Sequence, residues 1–317
     1  MDRSICAVVV TYNRKEYLSK LIDALKTQTR KLDGILVFDN HSTDGTGRYL
    51  QERGFTEELS EDVLMHNNNF YYYHSSSNTG GSGGFHSAIA LARDLGFDAL
   101  WCMDDDVCPE ENCLEQLEKH LTEETRIVIP SRSDSRYQDK AIVAVDMSNP
   151  FLYTIGLRKK IIRDQEIQGD SIEIVDMPFE GPLICSSLIR EIGLPNKELF
   201  IIFDDSDYAY RASKITKLLY CKHAILHKQI IPTRAKDSRM NWKDYYGYRN
   251  QIWFDRAYGE NIFVKILRPR LLVMDLYLRA IVRRKWSNIR VLHKAYRDGM
   301  ANRLGKLVEP GTRGDDF

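Results

Sequence analysis

The stretch that decides the fold of this chain reads Trp101-Cys102-Met103-Asp104-Asp105-Asp106. It completes a mostly apolar run that begins at residue 97 and has the length of a buried strand. The three acids therefore lie at the carboxyl end of a predicted central strand, the edge where open α/β sheets bind ligands. Adjacent carboxylates repel one another, and hard oxygen ligands suit Mg²⁺ or Mn²⁺ that arrives with substrate phosphates. A solvated acidic turn is the alternative interpretation.

Two strands near the start of the chain indicate a nucleotide-binding type of α/β unit. The segments Ile5–Thr11 and 34–40 are short apolar runs, and the first is rich in β-branched residues. Between them, Leu18 and Ile22 belong to one apolar face of a predicted helix. Strand, helix and strand within about forty residues predict a parallel sheet with polar groups after each strand.

A glycine-rich segment over residues 75–86 follows a third predicted strand at 70–73. An Ala- and Leu-rich helix comes next and ends near Leu95. Glycines before a helix can bring backbone N–H groups close to a phosphate or a sugar. The pattern is neither a Walker motif nor a complete G-x-G-x-x-G, so a flexible linker is the alternative. Because the acidic strand follows at once, the loop and the acids are predicted to share one sheet edge.

The second half of the chain opens with short alternating segments and few helix signals. Residues 155–162 and 171–175 are candidate strands of an antiparallel excursion. A second acidic cluster at residues 204–207 again ends an apolar run, and a helix cap is the alternative interpretation. His227 ends a further apolar run, where a structural role competes with metal binding.

The last part of the chain is predicted to be a basic, amphipathic helical extension over residues 241–317, after a catalytic domain over 1–240. Helices are predicted at Trp242–Tyr258 and roughly at 262–286. Residues 265–306 contain twelve Lys or Arg against two acids, beside apolar residues at helical spacing. Such a surface suits the headgroups of anionic lipids. A helical hairpin packed on the main domain, with its charges in solvent, is the alternative.

Composition narrows the class of protein and its partners. The chain carries 45 Lys and Arg against 45 Asp and Glu, so no overall charge indicates a nucleic-acid partner. Six cysteines show no C-x-x-C pair and no zinc spacing, which predicts reduced thiols in a cytosolic protein. No secretory leader and no uncharged apolar window of membrane-spanning length are visible. The expected location is the cytoplasm, at the inner face of the cell membrane, and a homo-oligomer is compatible with the sequence.

Taken together, the motifs resemble the inverting glycosyltransferases of family 2. The resemblance extends over about residues 5–258. It rests on an ordered set of segments, namely residues 8–14, 37–44, 104–106 and 203–208. The later histidine completes the set. It implies an α/β protein with the GT-A nucleotide-diphospho-sugar transferase fold, in which helices flank a mixed, mainly parallel central sheet. The C-terminal helical extension would follow this fold.

Within the family, the chain looks most like galactofuranosyltransferases, because of residues 78–85, the full Asp-Asp-Asp, and residues 204–212 and 245–250. This likeness implies transfer of galactofuranose from UDP-galactofuranose to a hydroxyl of a cell-surface glycan or lipid-linked oligosaccharide precursor. Rhamnosyltransferases that use dTDP-rhamnose are the nearest alternative. Mycobacterial-type enzymes carry two tryptophans where this chain has Pro182-Leu183, so their acceptor is not implied here.

The resemblance also implies roles for individual residues. Asp205 matches the catalytic base and Asp204 its partner. Mn²⁺ or Mg²⁺ would be held by Asp104, Asp106 and His227, with His223 a weaker candidate for the third ligand. The residues matched to donor binding are Thr11, Asn13, Arg14, Asp39, Asn78, Gly80, Gly81, Gly84, Phe85 and Asp105.

Two other classes of protein would also place acids at a sheet edge. A sugar nucleotidyltransferase would need a basic pocket for a triphosphate near the first loop, where only Arg14 and Lys15 stand. A non-catalytic binding module would not need both acidic clusters. The sequence therefore favours the transferase.

Overall fold

The computed structural model describes residues 3–56, 69–231 and 239–317. The strands are β1 (Ile5–Thr11), β2 (Gly34–Asp39), β3 (Phe70–His74), β4 (Ala99–Asp104), β5 (Val107–Pro109), β6 (Thr125–Ser131), β7 (Lys140–Val145), β8 (Lys159–Arg163), β9 (Ser171–Ile174), β10 (Leu183–Cys185) and β11 (Lys217–Lys228). The helices are α1 (Lys15–Lys26), α2 (Thr46–Glu52), α3 (Gly80–Asp94), α4 (Cys113–His120), α5 (Ile155–Arg158), α6 (Ser186–Ile192), α7 (Asp204–Ala212), α8 (Trp242–Tyr258), α9 (Ile262–Val282) and α10 (Trp286–Met300).

The main sheet runs in the order β3-β2-β1-β4-β10-β6-β11-β5, and β9 also pairs with β11. The strands from β3 to β4 are parallel, and so is the pair β6 and β11. Strand β10 runs antiparallel between β4 and β6, while β9 and β5 run antiparallel to β11. Strands β7 and β8 form a separate antiparallel pair. The predicted architecture, a mixed central sheet flanked by helices, is confirmed.

The register of the parallel strands brings the predicted polar residues to one edge. Val10 pairs with Asp104 across β1 and β4, and Thr11 pairs with Asp39 across β1 and β2. Both faces of these strands are covered, because side chains alternate along β1 and one set packs against α1 while the other packs against α3. The covered sheet thus holds the ends of β1, β2 and β4 in fixed positions.

The glycine-rich segment is helical from Gly80 onward, where the sequence predicts a loop. Helix α3 begins at Gly80, so Gly81, Gly83 and Gly84 lie in its first turns. A Cβ on Gly84 would lie 2.7 Å from Val10 Cγ1. The absence of a side chain at this position therefore permits the close packing of α3 on β1.

The strand predicted over residues 155–162 is correct only in its second half. The hydroxyl of Thr154 accepts a hydrogen bond from the N–H of Leu157 at 3.4 Å and caps the short helix α5. The chain becomes extended at Lys159 and continues as β8. The second candidate strand, over residues 171–175, corresponds to β9.

The C-terminal helices share a core with the preceding part of the chain. Tyr245 and Tyr246 of α8 and Val291 of α10 form a buried cluster with Phe200, which precedes α7. The predicted helix over 262–286 ends at residue 282, and Arg284, with φ of 53°, turns the chain into α10. None of the described helices is both long and apolar enough to cross a bilayer. The domain division at residue 240 remains a prediction.

Candidate active site

The acids at the end of β4 occupy unequal environments, and Asp105 is the least exposed to solvent. Its carboxylate accepts hydrogen bonds from the Thr11 hydroxyl at 2.7 Å and from the Tyr12 N–H at 3.3 Å. Arg14 Nη1 lies 3.1 Å from Asp105 Oδ1 and 2.8 Å from Asp106 Oδ2. Arg14 therefore supplies part of the positive charge that the triplet requires, and Asp105 joins β4 to the loop after β1.

Asp104 carries the carboxylate of the triplet that has no partner. In the described part of the chain, no residue donates a hydrogen bond to it or forms an ion pair with it. Burial raises the pKa of Asp104 well above its usual value, and the negative charges of Asp106, Asp105, Glu180 and Asp204 raise it further. An unpaired carboxylate among like charges fits a divalent cation, which would favour the ionised form.

His227 does not join the predicted metal ligands. Its Nε2 lies 3.0 Å from Glu110 Oε1, and its Nδ1 lies 3.3 Å from Asp134 Oδ2. His223 is also engaged elsewhere, with Nε2 3.1 Å from Asp170 Oδ1. Among residues 3–56, 69–231 and 239–317, no three His, Cys, Asp or Glu side chains are arranged to hold one metal ion.

The alternation of side chains along β11 explains this difference from the prediction. Successive residues of a strand point to opposite faces of the sheet. The neighbour of His227, Lys228, places Nζ 2.6 Å and 2.7 Å from the two carboxylate oxygens of Glu180. Glu180 is one of the charges that act on Asp104. The residue of β11 that faces the acidic site is thus the lysine.

The second acidic cluster follows a strained turn. Phe200, Ile202 and Phe203 have φ values of 65°, 65° and 75°, which are unusual for residues other than glycine. The side-chain amide of Asn250 holds this turn by donating to the carbonyls of Leu199, Ile201 and Ile202 at 3.0, 2.9 and 2.7 Å. The C-terminal helix α8 therefore fixes the entry into α7, where Asp204 and Asp205 stand.

Burial shifts both acids at the start of α7. It raises the pKa of Asp204 to about 6 and the pKa of Asp205 well above its usual value. The charges of Asp204 and Asp176 raise the pKa of Asp205 further. The Asp205 carboxylate accepts a hydrogen bond from the N–H of Ser206 at 2.7 Å. A carboxylate in this environment has a higher affinity for a proton than an exposed one.

A cavity of about 310 Å³ lies at the carboxyl edge of the sheet, and we call it the first cavity. Its lining comprises Val10, Thr11, Tyr12, Arg14, Asn40, Asn78, Gly80, Gly81, Asp104, Asp105, Phe200, Ile201, Trp242, Lys243 and Pro310. Seven of the predicted site residues are therefore brought together here: Thr11, Arg14, Asn78, Gly80, Gly81, Asp104 and Asp105.

The remaining residues matched to donor binding lie outside this lining. Asp39 is buried and accepts hydrogen bonds from the Ser42 N–H at 2.7 Å and the Tyr72 hydroxyl at 3.2 Å. Asn13 accepts a hydrogen bond from the N–H of Thr43. In α3, Gly84 packs on β1, and Phe85 stacks on a core phenylalanine with ring centroids 4.6 Å apart. In the structure, these four residues are engaged in hydrogen bonds or packing contacts with other parts of the chain.

Several residues that line the first cavity are not predicted from the sequence. Asn40 follows β2 directly, and its Nδ2 donates to the Gly80 carbonyl at 2.9 Å. Its position after a strand is a signal that could have identified it. Trp242, Lys243 and Pro310 come from the C-terminal part. No local pattern connects these residues with a sheet edge formed by the first hundred residues.

The sequence profile of Glycosyl transferase family 2 matches residues 6–176, more than half of the chain. The chain belongs to glycosyltransferase family 2. It is 25% identical over 201 residues to the galactofuranosyltransferase GlfT1 of Mycolicibacterium smegmatis, an alignment that covers 63% of this chain and 62% of that protein. The GlfT1 of Mycobacterium tuberculosis is 27% identical over 221 residues, with 65% and 63% covered. The chain thus spans less than two thirds of the length of these relatives.

Solved structures share the fold of this glycosyltransferase at low sequence identity. The structure of GalNAc-T7 with UDP, GalNAc and Mn²⁺ has a TM-score of 0.56 and 14% identity, covering 82% of this chain and 48% of that one. Staphylococcus aureus TarS 1–349 has a TM-score of 0.52 and 12% identity, covering 95% and 83%. The predicted GT-A fold is confirmed.

The glycosyltransferase has a second cavity, of about 200 Å³, beside Asp205. Its lining comprises Ile129, Arg132, Lys140, Ala141, Ile142, Lys159, Asp176, Met177, Pro178, Asp205 and Ser206. Asp104 lines the first cavity and Asp205 the second, and the charge of Asp204 acts on both carboxyl groups. Asp204 therefore lies within electrostatic reach of the carboxyl groups that line the two cavities.

Gly80 and Gly81 offer a matched pair of substitutions in this glycosyltransferase. Gly80 has φ of 75°, and a Cβ there would lie 2.1 Å from the Phe200 carbonyl oxygen, whereas a Cβ on Gly81 meets no atom within 4 Å. Gly80→Ala is expected to lower the free energy of unfolding by about 2 kcal/mol or more. Gly81→Ala should raise it by up to about 1 kcal/mol, since alanine favours a helix. Denaturant unfolding of both variants checks this, and equal losses would contradict the packing of Gly80 on residue 200.

Proposed function

We propose that this enzyme transfers galactofuranose from UDP-galactofuranose to a hydroxyl of a cell-surface glycan or a lipid-linked oligosaccharide precursor. The proposal rests above all on the two cavities, because carboxyl groups with strongly raised pKa values line both of them, Asp104 the first and Asp205 the second. A transferase needs two adjoining sites of this kind, one for each substrate. The names of the GlfT1 relatives support the choice of sugar.

The donor nucleotide belongs in the first cavity in this proposal. Asn78, Gly80 and Gly81 offer polar backbone and amide groups there, and Arg14 and Lys243 are the cations of its lining. Their charges would offset the negative charge of the diphosphate. Lys243 extends the predicted donor site into the C-terminal part of the chain.

Mn²⁺ or Mg²⁺ would be held by Asp104 and Asp106, whose hard oxygen atoms suit either ion. A divalent cation, when bound, stabilises the negative charge that develops on the leaving diphosphate. The GalNAc-T7 structure with UDP and Mn²⁺ supports this choice of cofactor. Because His227 is paired with Glu110 and Asp134, it is a weaker third ligand than the sequence predicts.

The acceptor hydroxyl would approach Asp205 from the second cavity. Asp205 takes the proton of this hydroxyl while the oxygen attacks the anomeric carbon on the face opposite the UDP group. The C–O bond to the diphosphate breaks as the new bond forms, which inverts the anomeric configuration. The raised pKa of Asp205 favours this role, because a stronger base accepts the proton more readily.

A rhamnosyltransferase that uses dTDP-rhamnose is the second candidate, because it shares much of the motif pattern. We also propose that the enzyme works at the inner face of the cell membrane, where a lipid-linked acceptor would be available. The basic C-terminal helices would provide a peripheral contact with the membrane.

Donor hydrolysis with a panel of nucleotide sugars tests the proposed reaction. UDP-galactofuranose is expected to release UDP in the presence of Mn²⁺ and to release at least about tenfold less in excess EDTA, because the leaving diphosphate loses its counter-charge. Release of dTDP from dTDP-rhamnose as the faster reaction would favour the rhamnosyltransferase instead. Unchanged UDP release in EDTA would contradict the metal site.

A further inference from the structure

We infer that the turn between α9 and α10 binds the phosphate groups of an anionic bilayer and holds the enzyme on the membrane surface. This inference deepens the peripheral contact of the proposed function by assigning it to one site. The site consists of the basic residues 283–285, Arg290 and the apolar side chains beside them. We call it the basic turn.

Apolar side chains project into solvent next to the basic turn. Met274, Leu278 and Val282 follow one another at intervals of four residues along α9, so they lie on one face of the helix. All three are exposed, and Val282 retains 82% of its accessible surface. Trp286, the first residue of α10, is 61% exposed. The described fold leaves this apolar face uncovered.

The opposite face of α9 prevents these side chains from turning inward. Leu272 and Val273 are buried against α8 and α10, and Arg268 is fully buried. Arg268 pairs with Asp255 of α8 at 3.2 Å and donates to the Asn149 carbonyl at 2.6 Å. The helix is therefore fixed on the enzyme by its buried face, and the opposite face is presented to solvent.

The positive charges of the basic turn surround an open cavity of about 430 Å³. Its lining comprises Arg239, Arg283, Arg284, Lys285, Trp286, Ser287, Arg290 and Asp315. Within the described residues, Arg283, Arg284 and Lys285 form no ion pair, and Arg290 donates to the backbone carbonyls of Asp315 and Phe317. Five cations and one acid thus line one concave surface, which is complementary to a phosphate-rich surface.

The combination of these two features identifies the occupant. Exposed Trp and aliphatic side chains beside a cluster of basic side chains are typical of surfaces that enter the interface of an anionic membrane. Nucleic acid would use the cations but would leave Val282 and Leu278 in water. The basic turn therefore fits a bilayer with anionic headgroups better than an RNA or an acidic protein.

Vesicle sedimentation of the full chain tests the inference. The wild-type protein should bind vesicles that contain both phosphatidylglycerol and phosphatidylcholine. Its binding should be at least about tenfold weaker when the vesicles contain phosphatidylcholine alone or when the salt concentration is high. Arg283→Glu/Arg284→Glu and, separately, Val282→Ser/Trp286→Ser should each weaken binding to the anionic vesicles. Arg283→Glu/Arg284→Glu is expected to lower the binding to anionic vesicles by at least about tenfold.

The matched control reverses two charges that do not belong to the basic turn. Lys20 and Lys31 are exposed and form no ion pair in the described part of the chain. Lys20→Glu/Lys31→Glu changes the net charge by the same amount, and its vesicle binding should stay within about twofold of wild type. Thermal unfolding of all variants verifies that each is folded.

Three results would overturn the inference. Wild type could fail to bind anionic vesicles, or the control variant could lose as much vesicle binding as the Arg283→Glu/Arg284→Glu variant. In the third, the variants of the basic turn would lose binding to an oligonucleotide, measured in parallel, but would keep their binding to vesicles. Donor hydrolysis without lipid separates this outcome from the proposed reaction. If wild type and both variants of the basic turn hydrolyse the donor equally, the reaction stands whatever the vesicles show. If wild type binds vesicles but hydrolyses no donor, the membrane site stands and the proposed reaction fails.

Discussion

Asp205→Asn is expected to lower the turnover number by at least about a hundredfold and to leave the affinity for the donor almost unchanged. The amide has nearly the shape of the carboxylate but cannot accept a proton from the acceptor. Donor affinity should survive because Asp205 lines the second cavity and not the first. Steady-state measurement of kcat and KM for donor and acceptor checks both statements.

The pH profile adds a readout that packing alone would not change. Asp205 acts as a base only when it is ionised, and its pKa is raised. The wild-type turnover number should therefore increase with pH through a range above the ordinary carboxylate pKa, and Asp205→Asn should lack this increase. Asp176→Asn serves as the control in the same cavity, because Asp176 is paired with Lys159. If Asp176→Asn lost turnover and Asp205→Asn kept it, the base would be Asp176.

Asp104→Asn is expected to abolish cation-dependent release of UDP and, without metal, to stabilise the fold at neutral pH. The folded-state pKa of Asp104 is raised, so its ionisation costs stability, and this cost is present once the pH exceeds the pKa of the unfolded chain. An uncharged amide removes that cost. A divalent cation that binds the folded wild type should raise its melting temperature, and the variant should lose this increase.

Melting curves with and without Mn²⁺, measured beside UDP release, check this prediction. Asp106→Asn is the comparison, because that residue is already paired with Arg14. Its melting temperature without metal should increase less than that of Asp104→Asn, since the substitution relieves repulsion of Asp104 but also removes a favourable ion pair. A melting temperature of Asp104→Asn that rises with Mn²⁺ as much as in wild type would exclude Asp104 as a ligand.

The sheet and its reactive edge could be predicted because they depend on local patterns. Continuous apolar runs identify β1, β2 and β4, since a parallel strand covered on both faces tolerates few polar residues. Polar residues at the end of each run, such as Thr11 and Asp104, must then meet at one edge. The roles assigned to Asp104 and Asp205 stay predictions. The position of Asp104 follows from this pattern, whereas Asp205 follows a turn that Asn250 of α8 holds.

Other parts of the site depend on distant contacts that one sequence does not reveal. The face of β11 to which His227 points is set by pairing with β5, whose register cannot be deduced from the strand itself. Phe85 looks like part of a binding loop until α3 is seen to pack it into the core. Lys243 reaches the first cavity only because α8 shares a core with the turn after residue 199.

The hydrogen bonds from α8 to the turn before α7 set the order in which a newly made chain gains its active form. Asn250 anchors the carbonyl groups of Leu199 and Ile202, and Arg249 donates to Leu199 and Gly305. A ribosome releases the strands of the main sheet, the last of which ends at Lys228, before these arginine and asparagine side chains emerge. We therefore expect the turn before α7 to reach its final geometry only after translation has passed Asn250, so that the proposed base Asp205 is positioned late in synthesis.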